Sequence, residues 1–464
     1  MRCKRKAWLD FQGNFSESTW SPHKAIQLLN ENSTFEKFSN KKLDFGLKGC
    51  ENGSQNIIGC KFRGKFNNKT EIEVYPPLLI KTRGKSIWGE YQYFPAVSKL
   101  GRRTTKDHLL ELALCAIILE KYQKTKIKFG LIVSNFQNKL ITEKVIINNK
   151  LKNKATNRFL ELIDSLNKKI PEITRDRKKC SICSWQNYCD REAKSKGFLT
   201  DIDGIGSKTA ELLIKIGVNN VKTLAESDKF ELSEKLSSFQ EINSDKTSKY
   251  INQSKSYITG VPELLSKKQI APFKKRLESG FFIFDIESNP DAHHDFLYGF
   301  LSISNLHKPL HEEKYEPIIN LNPSLEVKLI FKLILQKIRT HKEWPILHYG
   351  ETERYSILRL AKDSDLNSDQ VKTLETRFID LHSLMRDSWV LPLKNYSLKT
   401  VATWTGFQWS QSGVSGSKAL FWWIKYLQTK KQTYLEKIIK YNKDDCLATL
   451  SIAIWLIQNS ENEL

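Results

Sequence analysis

The chain has few cysteines and no long hydrophobic run. Eight cysteines among 464 residues are too few for a scaffold held together by disulfides. No stretch of about 18 consecutive apolar residues occurs, so a membrane-spanning helix is not expected. The first residues are charged and are not followed by the apolar segment of a secretory signal peptide. We therefore expect a cytoplasmic protein that does not associate with membranes.

Acidic residues are also scarce relative to basic ones. Fifty-two Asp and Glu against 74 Lys and Arg give a net charge of +22 and a pI near 9.4. Such a charge favours a polyanionic partner, so nucleic acid is the leading partner class. The alternative is that an A/T-rich genome, which favours Lys, Asn and Ile codons, produced this composition without any binding role.

The length is too great for one hydrophobic core, because cores stop growing at about 250–300 residues. The order of apolar segments predicts an α/β multidomain protein with domains at 1–195, 196–274 and 275–464. The first contains strand-like runs at 72–80 and 129–133 and a helix at 107–122. The second is helical, and the third alternates strands with helices.

Three acidic segments of the last domain predict a metal site. Asp285 and Glu287 follow an apolar strand, and the period of two places both carboxylates on one face. Tyr441 and Asp445 are spaced one turn apart on a predicted helix, so that Asp445 can join the same cation. Between these segments, a strand ends at His348-Tyr-Gly-Glu-Thr-Glu353 and a helix begins. Buried carboxylates repel one another unless a cation such as Mg²⁺ or Mn²⁺ neutralises them.

These segments resemble the three exonuclease motifs of the DEDD ribonuclease-H-like superfamily, in the variant with Tyr before the last Asp. The resemblance implies that Asp285, Glu287, Glu353 and Asp445 hold two Mg²⁺ or Mn²⁺ ions and that Tyr441 orients the attacking water.

The central motif ends in Glu where the superfamily usually has Asp, as in YprB-type members. Glu351 is the competing candidate for this acid. The segments Asn395–Ala402 and Gly406–Trp409 also resemble the YprB branch, so the likeness covers about the last 190 residues. The alternative is a ribonuclease-H-like fold that has lost turnover.

A cysteine cluster ends the first domain. Cys180, Cys183 and Cys189 lie within ten residues, a spacing typical of a metal site in a reducing compartment. Together with Cys3 they resemble the ligands of RecB-type nucleases, which implies a [4Fe–4S] cluster held by these four cysteines. Zinc is the alternative metal, and ordinary buried thiols are the alternative to a metal site.

The nuclease centre of that RecB-like domain is incomplete. Lys99 is retained, but Val97 stands where a metal-binding acid is expected and Pro77 near the expected Asp. A valine cannot hold a cation, so we expect this domain to grip nucleic acid rather than cut it. Glu90 or Glu111 could supply a metal ligand in a shifted register.

A glycine turn opens the second domain. Gly204, Gly206 and Lys208 resemble a helix–hairpin–helix, in which backbone N–H groups at a helix start and a lysine bind a phosphate. A plain helical hairpin is the alternative, because the same glycines permit tight packing.

The order of the three domains resembles the fused RecB-family nucleases of bacteria. That likeness implies a restriction-endonuclease-type α/β domain, a small helical hairpin module and a ribonuclease-H-like α/β domain. The implied function is a metal-dependent 3'–5'-type exonuclease acting on DNA, with the first two domains gripping nucleic acid. The rival hypotheses are an RNA exonuclease, a non-catalytic nucleic-acid-binding scaffold with decayed nuclease folds, and a small-molecule phosphoesterase, which the charge disfavours.

Overall fold

The computed structural model of the chain describes residues 3–67, 70–99, 103–136, 139–174, 177, 180–237, 244–290, 294–305, 314–321 and 327–461. The chain divides into two compact units, Met1–Thr174 and Arg175–Leu464. Among the described helices, none is long and apolar enough to cross a membrane.

The first unit is a six-stranded mixed sheet with the strand order β1-β2-β5-β6-β7-β8, packed against helices. A separate hairpin is formed by β3 and β4. The elements are α1 (Lys4–Gln12), α2 (Pro22–Phe38), β1 (Asp44–Phe45), α3 (Gly46–Glu51), β2 (Asn56–Ile58), β3 (Phe62–Asn67), β4 (Thr70–Val74), β5 (Leu78–Ser86), β6 (Gly89–Ser98), α4 (Lys106–Gln123), β7 (Phe129–Phe136), β8 (Lys139–Ile146) and α5 (Asn149–Leu166).

Helix α4 fills the centre of this unit. Thr105 caps its first turn in a capping box with His108, and the buried side chains of Leu112, Ala116 and Leu119 pack in the core of the sheet. The single strand predicted at 72–80 is instead two strands, since β4 ends at Val74 and β5 begins at Leu78. Two prolines lie between them, and proline has no N–H to donate to a sheet.

The second unit joins a small helical module to a second α/β layer structure. Its elements are α6 (Gln186–Lys196), α7 (Ser207–Lys215), α8 (Val221–Ala225), α9 (Lys229–Ser237), α10 (Ser244–Thr259), β9 (Glu263–Leu264), α11 (Ile270–Leu277), β10 (Phe281–Asn289), β11 (His294–Ile303), β12 (Lys314–Ile319), α12 (Val327–Arg339), β13 (Ile346–His348), α13 (Glu351–Lys362), α14 (Ser368–Glu375), β14 (Phe378–Asp380), α15 (Leu381–Ser388), β15 (Trp389–Val390), α16 (Leu398–Trp404), α17 (Gly416–Thr429) and α18 (Gln432–Glu461).

The main sheet of this unit has the strand order β12-β11-β10-β13-β14. Strand β10 lies in the middle, antiparallel to β11 and parallel to β13. Phe281 and Ile283 belong to the core shared with α18, whereas Phe282 and Phe284 belong to the core shared with α12 and α13. A sheet covered on both faces explains why four consecutive residues of β10 are apolar.

Candidate metal centre

Three carboxylates converge beside β10 and α18. Asp285 and Glu287 continue the face of β10 that packs against α18, as the period of two predicts. Asp445 projects from α18, and one oxygen from each of the three side chains lies within 4.8 Å of the others. Within the described ranges, no other group of three or more Asp, Glu, His or Cys side chains converges in this way.

The electrostatics of these carboxylates favour a cation. Burial raises the pKa of both Asp285 and Glu287 well above its usual range, and the neighbouring carboxylates raise it further. Burial also raises the pKa of Asp445 to about 6, against hydrogen bonds from Trp409 and Tyr441 that lower it. A bound cation would favour the ionised form of all three groups. A ligand set made only of oxygen atoms fits Mg²⁺ or Mn²⁺.

Of the two glutamates near the start of α13, Glu353 faces the interior and Glu351 faces solvent. Glu351 is exposed and forms an ion pair of 3.0 Å with Arg354. Burial raises the pKa of Glu353 to about 8, and the charges of Asp380 and Asp445 add to this effect. Glu353 is not part of the three-carboxylate group, but its Oε2 is buried without a hydrogen-bond partner among the described residues. That oxygen is therefore available to a ligand.

Tyr441 and Trp409 both contact Asp445. Tyr441 lies one helical turn before Asp445, and its hydroxyl hydrogen-bonds to that carboxylate. Burial raises the pKa of Tyr441, and the three carboxylates raise it further, so the hydroxyl stays protonated at neutral pH. The Trp409 Nε1–H donates a 2.6 Å hydrogen bond to Asp445 Oδ1. Trp409 ends a segment that resembles the YprB branch, but its role as a donor was not foreseen from the sequence.

Asn442 holds Asp285, and sequence reasoning missed it. Its Nδ2 donates a 2.6 Å hydrogen bond to Asp285 Oδ2, and its Oδ1 accepts a 2.8 Å hydrogen bond from the Tyr315 hydroxyl. The side chain is fully buried. The available sequence signal was an asparagine directly after Tyr441 and three residues before Asp445.

Lys399 supplies a positive charge beside the carboxylates and was also missed. Its Nζ lies 5.0 Å from the centre of the Tyr441 ring and 5.5 Å from that of Trp409, and it donates to the Val414 carbonyl. Burial lowers the pKa of Lys399, although the negative charges of Asp445 and Glu287 partly offset this by raising it. The sequence signal for Lys399 was its position in the segment Asn395–Ala402, which resembles the YprB branch.

The comparison with known proteins agrees with this geometry. Residues 282–457 match the family model described as the RNase_H superfamily. This segment is a ribonuclease H-like domain. It includes the five-stranded sheet and all the acidic residues above, which confirms the predicted fold of this part of the chain. No curated protein matches the chain.

Outside the ribonuclease H-like domain, three predicted cysteine ligands share one short segment. Cys180 begins a 3₁₀ turn, Cys183 directly follows this turn, and Cys189 lies in α6. Burial raises the pKa of the Cys180 thiol, and the two nearby thiols raise it further. The guanidinium of Arg177 lowers this pKa. Among the described side chains, these sulfur atoms do not converge as tightly as the carboxylates do. Cys3 lies in the first unit, where its sulfur caps α1. The metal cluster therefore stays a prediction.

In the first unit, the lysine of the predicted RecB-like centre bonds to neighbouring side chains. Lys99 is buried, donates to Thr104 at 3.1 Å and lies 3.3 Å from Glu143. Val97 is in the hydrophobic core. Of the two alternative acids, Glu90 is exposed, whereas burial and the charge of Asp107 raise the pKa of Glu111.

The glycine turn forms an exposed helix start. Gly204 adopts a left-handed conformation with φ of +82°, Gly206 is the N-cap of α7, and Lys208 lies in the first turn. All three are exposed. Side chains from 199 to 251 form a separate small core behind them. Phosphate binding at this turn stays a prediction.

Proposed function

We propose that this protein is a metal-dependent nuclease that hydrolyses phosphodiester bonds of DNA from a strand end. The observation that carries this proposal is the convergence of Asp285, Glu287 and Asp445 within 4.8 Å in a ribonuclease H-like domain. The net charge of +22 supports a polyanionic substrate over a small phosphoester.

The donor set fits divalent metals. Asp285, Glu287 and Asp445, with the unpartnered Oε2 of Glu353, would hold two Mg²⁺ or Mn²⁺ ions. Bound there, such ions would lower the pKa of a water molecule and neutralise charge on the attacking and leaving oxygens. An intact set of buried acids favours a hydrolase over a scaffold with decayed nuclease folds.

The chain's own residues would position the reactants. The protonated Tyr441 hydroxyl, held at Asp445, would orient the attacking water. Asn442 and Trp409 would fix the orientation of the carboxylates to which they donate. Lys399, beside Tyr441, would stabilise negative charge on the phosphate.

The finer parts of the proposal come from the resemblance to fused RecB-family nucleases. They are a 3'–5' polarity, DNA rather than RNA as substrate, and two modules that grip nucleic acid. An RNA exonuclease with the same metal site is the second candidate, because the carboxylates would hold metal ions for either substrate.

The decisive experiment is a hydrolysis assay on end-labelled single-stranded and double-stranded DNA and on RNA, with Mn²⁺ or Mg²⁺. Asp285→Asn keeps an oxygen to accept from Asn442 but removes the charge, so hydrolysis should fall about 100-fold or more while DNA binding persists. Asp387→Asn, an exposed aspartate in the same domain, is the matched control. Equal activity of the two variants would disprove the assignment, and preferential loss of RNA cleavage would favour the second candidate.

A further inference from the structure

A series of lysines leads away from the carboxylate cluster along α18 and α17. Lys437, Tyr441 and Asp445 are spaced four residues apart, which places them on one face of α18. Lys437 is exposed, and its Nζ lies 5.8 Å from the centre of the Trp422 ring on α17. The face that carries Tyr441 and Asp445 thus continues outward into a cationic, accessible surface.

A second lysine contacts the same ring. The Nζ of Lys418 lies 5.5 Å from the centre of Trp422, whose side chain is only 7% exposed. A buried, fixed ring that contacts both amines limits the positions they can take. The Lys399 Nζ donates to the carbonyl of Val414, which lies just before α17, and Lys418 lies in the first turn of that helix. Lys399, Lys418 and Lys437, named here the lysine row, therefore run from the carboxylates to the surface.

Surface lysines often form ion pairs with carboxylates, and the described part of the chain shows no such pair for the lysine row. None of its three amines forms an ion pair with a carboxylate among the residues that the structure describes, although many other lysines do. Three neighbouring amines repel one another, and no described carboxylate pairs with Lys418 or Lys437 to offset that cost. An anion with several negative groups in a line would offset it.

We propose that the lysine row binds successive phosphates of the nucleic-acid strand that enters the carboxylate cluster. Lys399 contacts the phosphate nearest the carboxylates, and Lys418 and Lys437 contact the phosphates of the following nucleotides. This inference rests on the proposed function, because it takes the carboxylate cluster as the place of cleavage. A contact to phosphate alone carries no sequence preference.

The test separates binding from cleavage. Binding of a fluorescent single strand of about five nucleotides is measured by anisotropy in EDTA, as a function of salt, for the full chain. Each phosphate contact that is lost should reduce the salt slope of log affinity for a single strand by about 0.7. The double variant Lys418→Ala/Lys437→Ala should therefore bind several-fold more weakly with a slope smaller by about 1.4, and arginine at both positions should restore binding.

Lys443→Ala is the matched control, since it removes one exposed lysine from the same helix at a different angle around its axis. It should leave the slope unchanged. Thermal melting of every variant excludes loss of folding. If the double variant binds with the control's affinity and slope, the lysine row does not contact the strand, whatever the cleavage assay gives. If binding depends on the row but no variant or parent cleaves, the proposed function fails and the binding surface stands.

Discussion

Gly299 leaves open the space that the Asn442 side chain fills. A Cβ atom at Gly299, on β11, would lie 1.7 Å from the Asn442 Oδ1 on α18. The missing side chain lets the Asn442 amide reach across to Asp285 at 2.6 Å while Tyr315 donates to its oxygen. The orientation of a carboxylate on one strand therefore depends on a glycine on the neighbouring strand.

Gly299→Ala should displace Asn442 and so disturb Asp285. Loss of a partner that orients a metal ligand typically reduces metal affinity or activity about 10–100-fold. The added methyl group should also destabilise the fold by about 1–3 kcal/mol, because it is placed in a filled core. Titration with Mn²⁺ and thermal melting measure the two effects. Asn442→Ala is the companion variant: it should lower Mn²⁺ affinity without the clash, and parental affinity in both variants would show that Asp285 needs no such support.

Trp409→Phe should weaken the site through a single hydrogen bond. The change keeps an aromatic ring but removes the N–H that donates to Asp445 Oδ1. We expect Mn²⁺ affinity and hydrolysis to fall about tenfold with little change in melting temperature. Trp404→Phe is the control, because Trp404 packs against Trp455, whereas the indole hydrogen bond to Asp445 comes from Trp409. The role assigned to Trp409 is wrong if the two variants behave alike.

Some parts of the fold could be predicted from local patterns in the sequence. The helix predicted at 107–122 is α4, Lys106–Gln123, because a long, mostly apolar run marks it locally. The same-face placement of Asp285 and Glu287 also followed, since a strand alternates strictly. The single strand predicted at 72–80 was wrong because the two prolines between its halves cannot donate a hydrogen bond to a sheet.

The partners of the carboxylates could not be predicted in the same way. Asn442 and Lys399 act through contacts that join α18 to β10 and α16 to α18. Such contacts depend on how whole elements pack, and no local spacing encodes them. Among the two glutamates of the central motif, burial distinguishes Glu353 from Glu351, and burial was not readable from two acids of the same type two residues apart.

Glu31 in α2 should make the protein less stable as the pH rises. Burial and the charge of Glu111 raise the pKa of Glu31 from 4.5 to about 7. The folded state therefore binds the proton more tightly than the unfolded state does, and stability falls as the pH rises from about 4.5 to 7. Glu31→Gln should remove this dependence and add about 1 kcal/mol to stability at pH 8, a value reduced for the partial exposure of the group. At pH 4 the variant and the parent should be alike.

Melting temperatures of Glu31→Gln at pH 4, 6 and 8 measure the effect. Glu36→Gln, at an exposed position of the same helix, is the control and should follow the parent at every pH. Parallel curves for parent and Glu31→Gln would show that this carboxyl ionises normally in the folded protein.

Cys183→Ser should reveal whether the cysteine segment holds a metal. If the thiols of Cys180, Cys183 and Cys189 bind an iron–sulfur cluster with Cys3, as the resemblance to RecB-type nucleases implies, protein purified without oxygen should be brown and contain iron and sulfide. The serine variant should then lose colour and melt at a lower temperature, because metal binding is coupled to folding. Cys115→Ala, which changes a cysteine buried in the core of the first unit, should retain the iron.

Colourless parent protein with one zinc, lost in the Cys183→Ser variant alone, would identify zinc instead. Metal-free parent protein that melts like its Cys183→Ser variant would show that these are ordinary thiols.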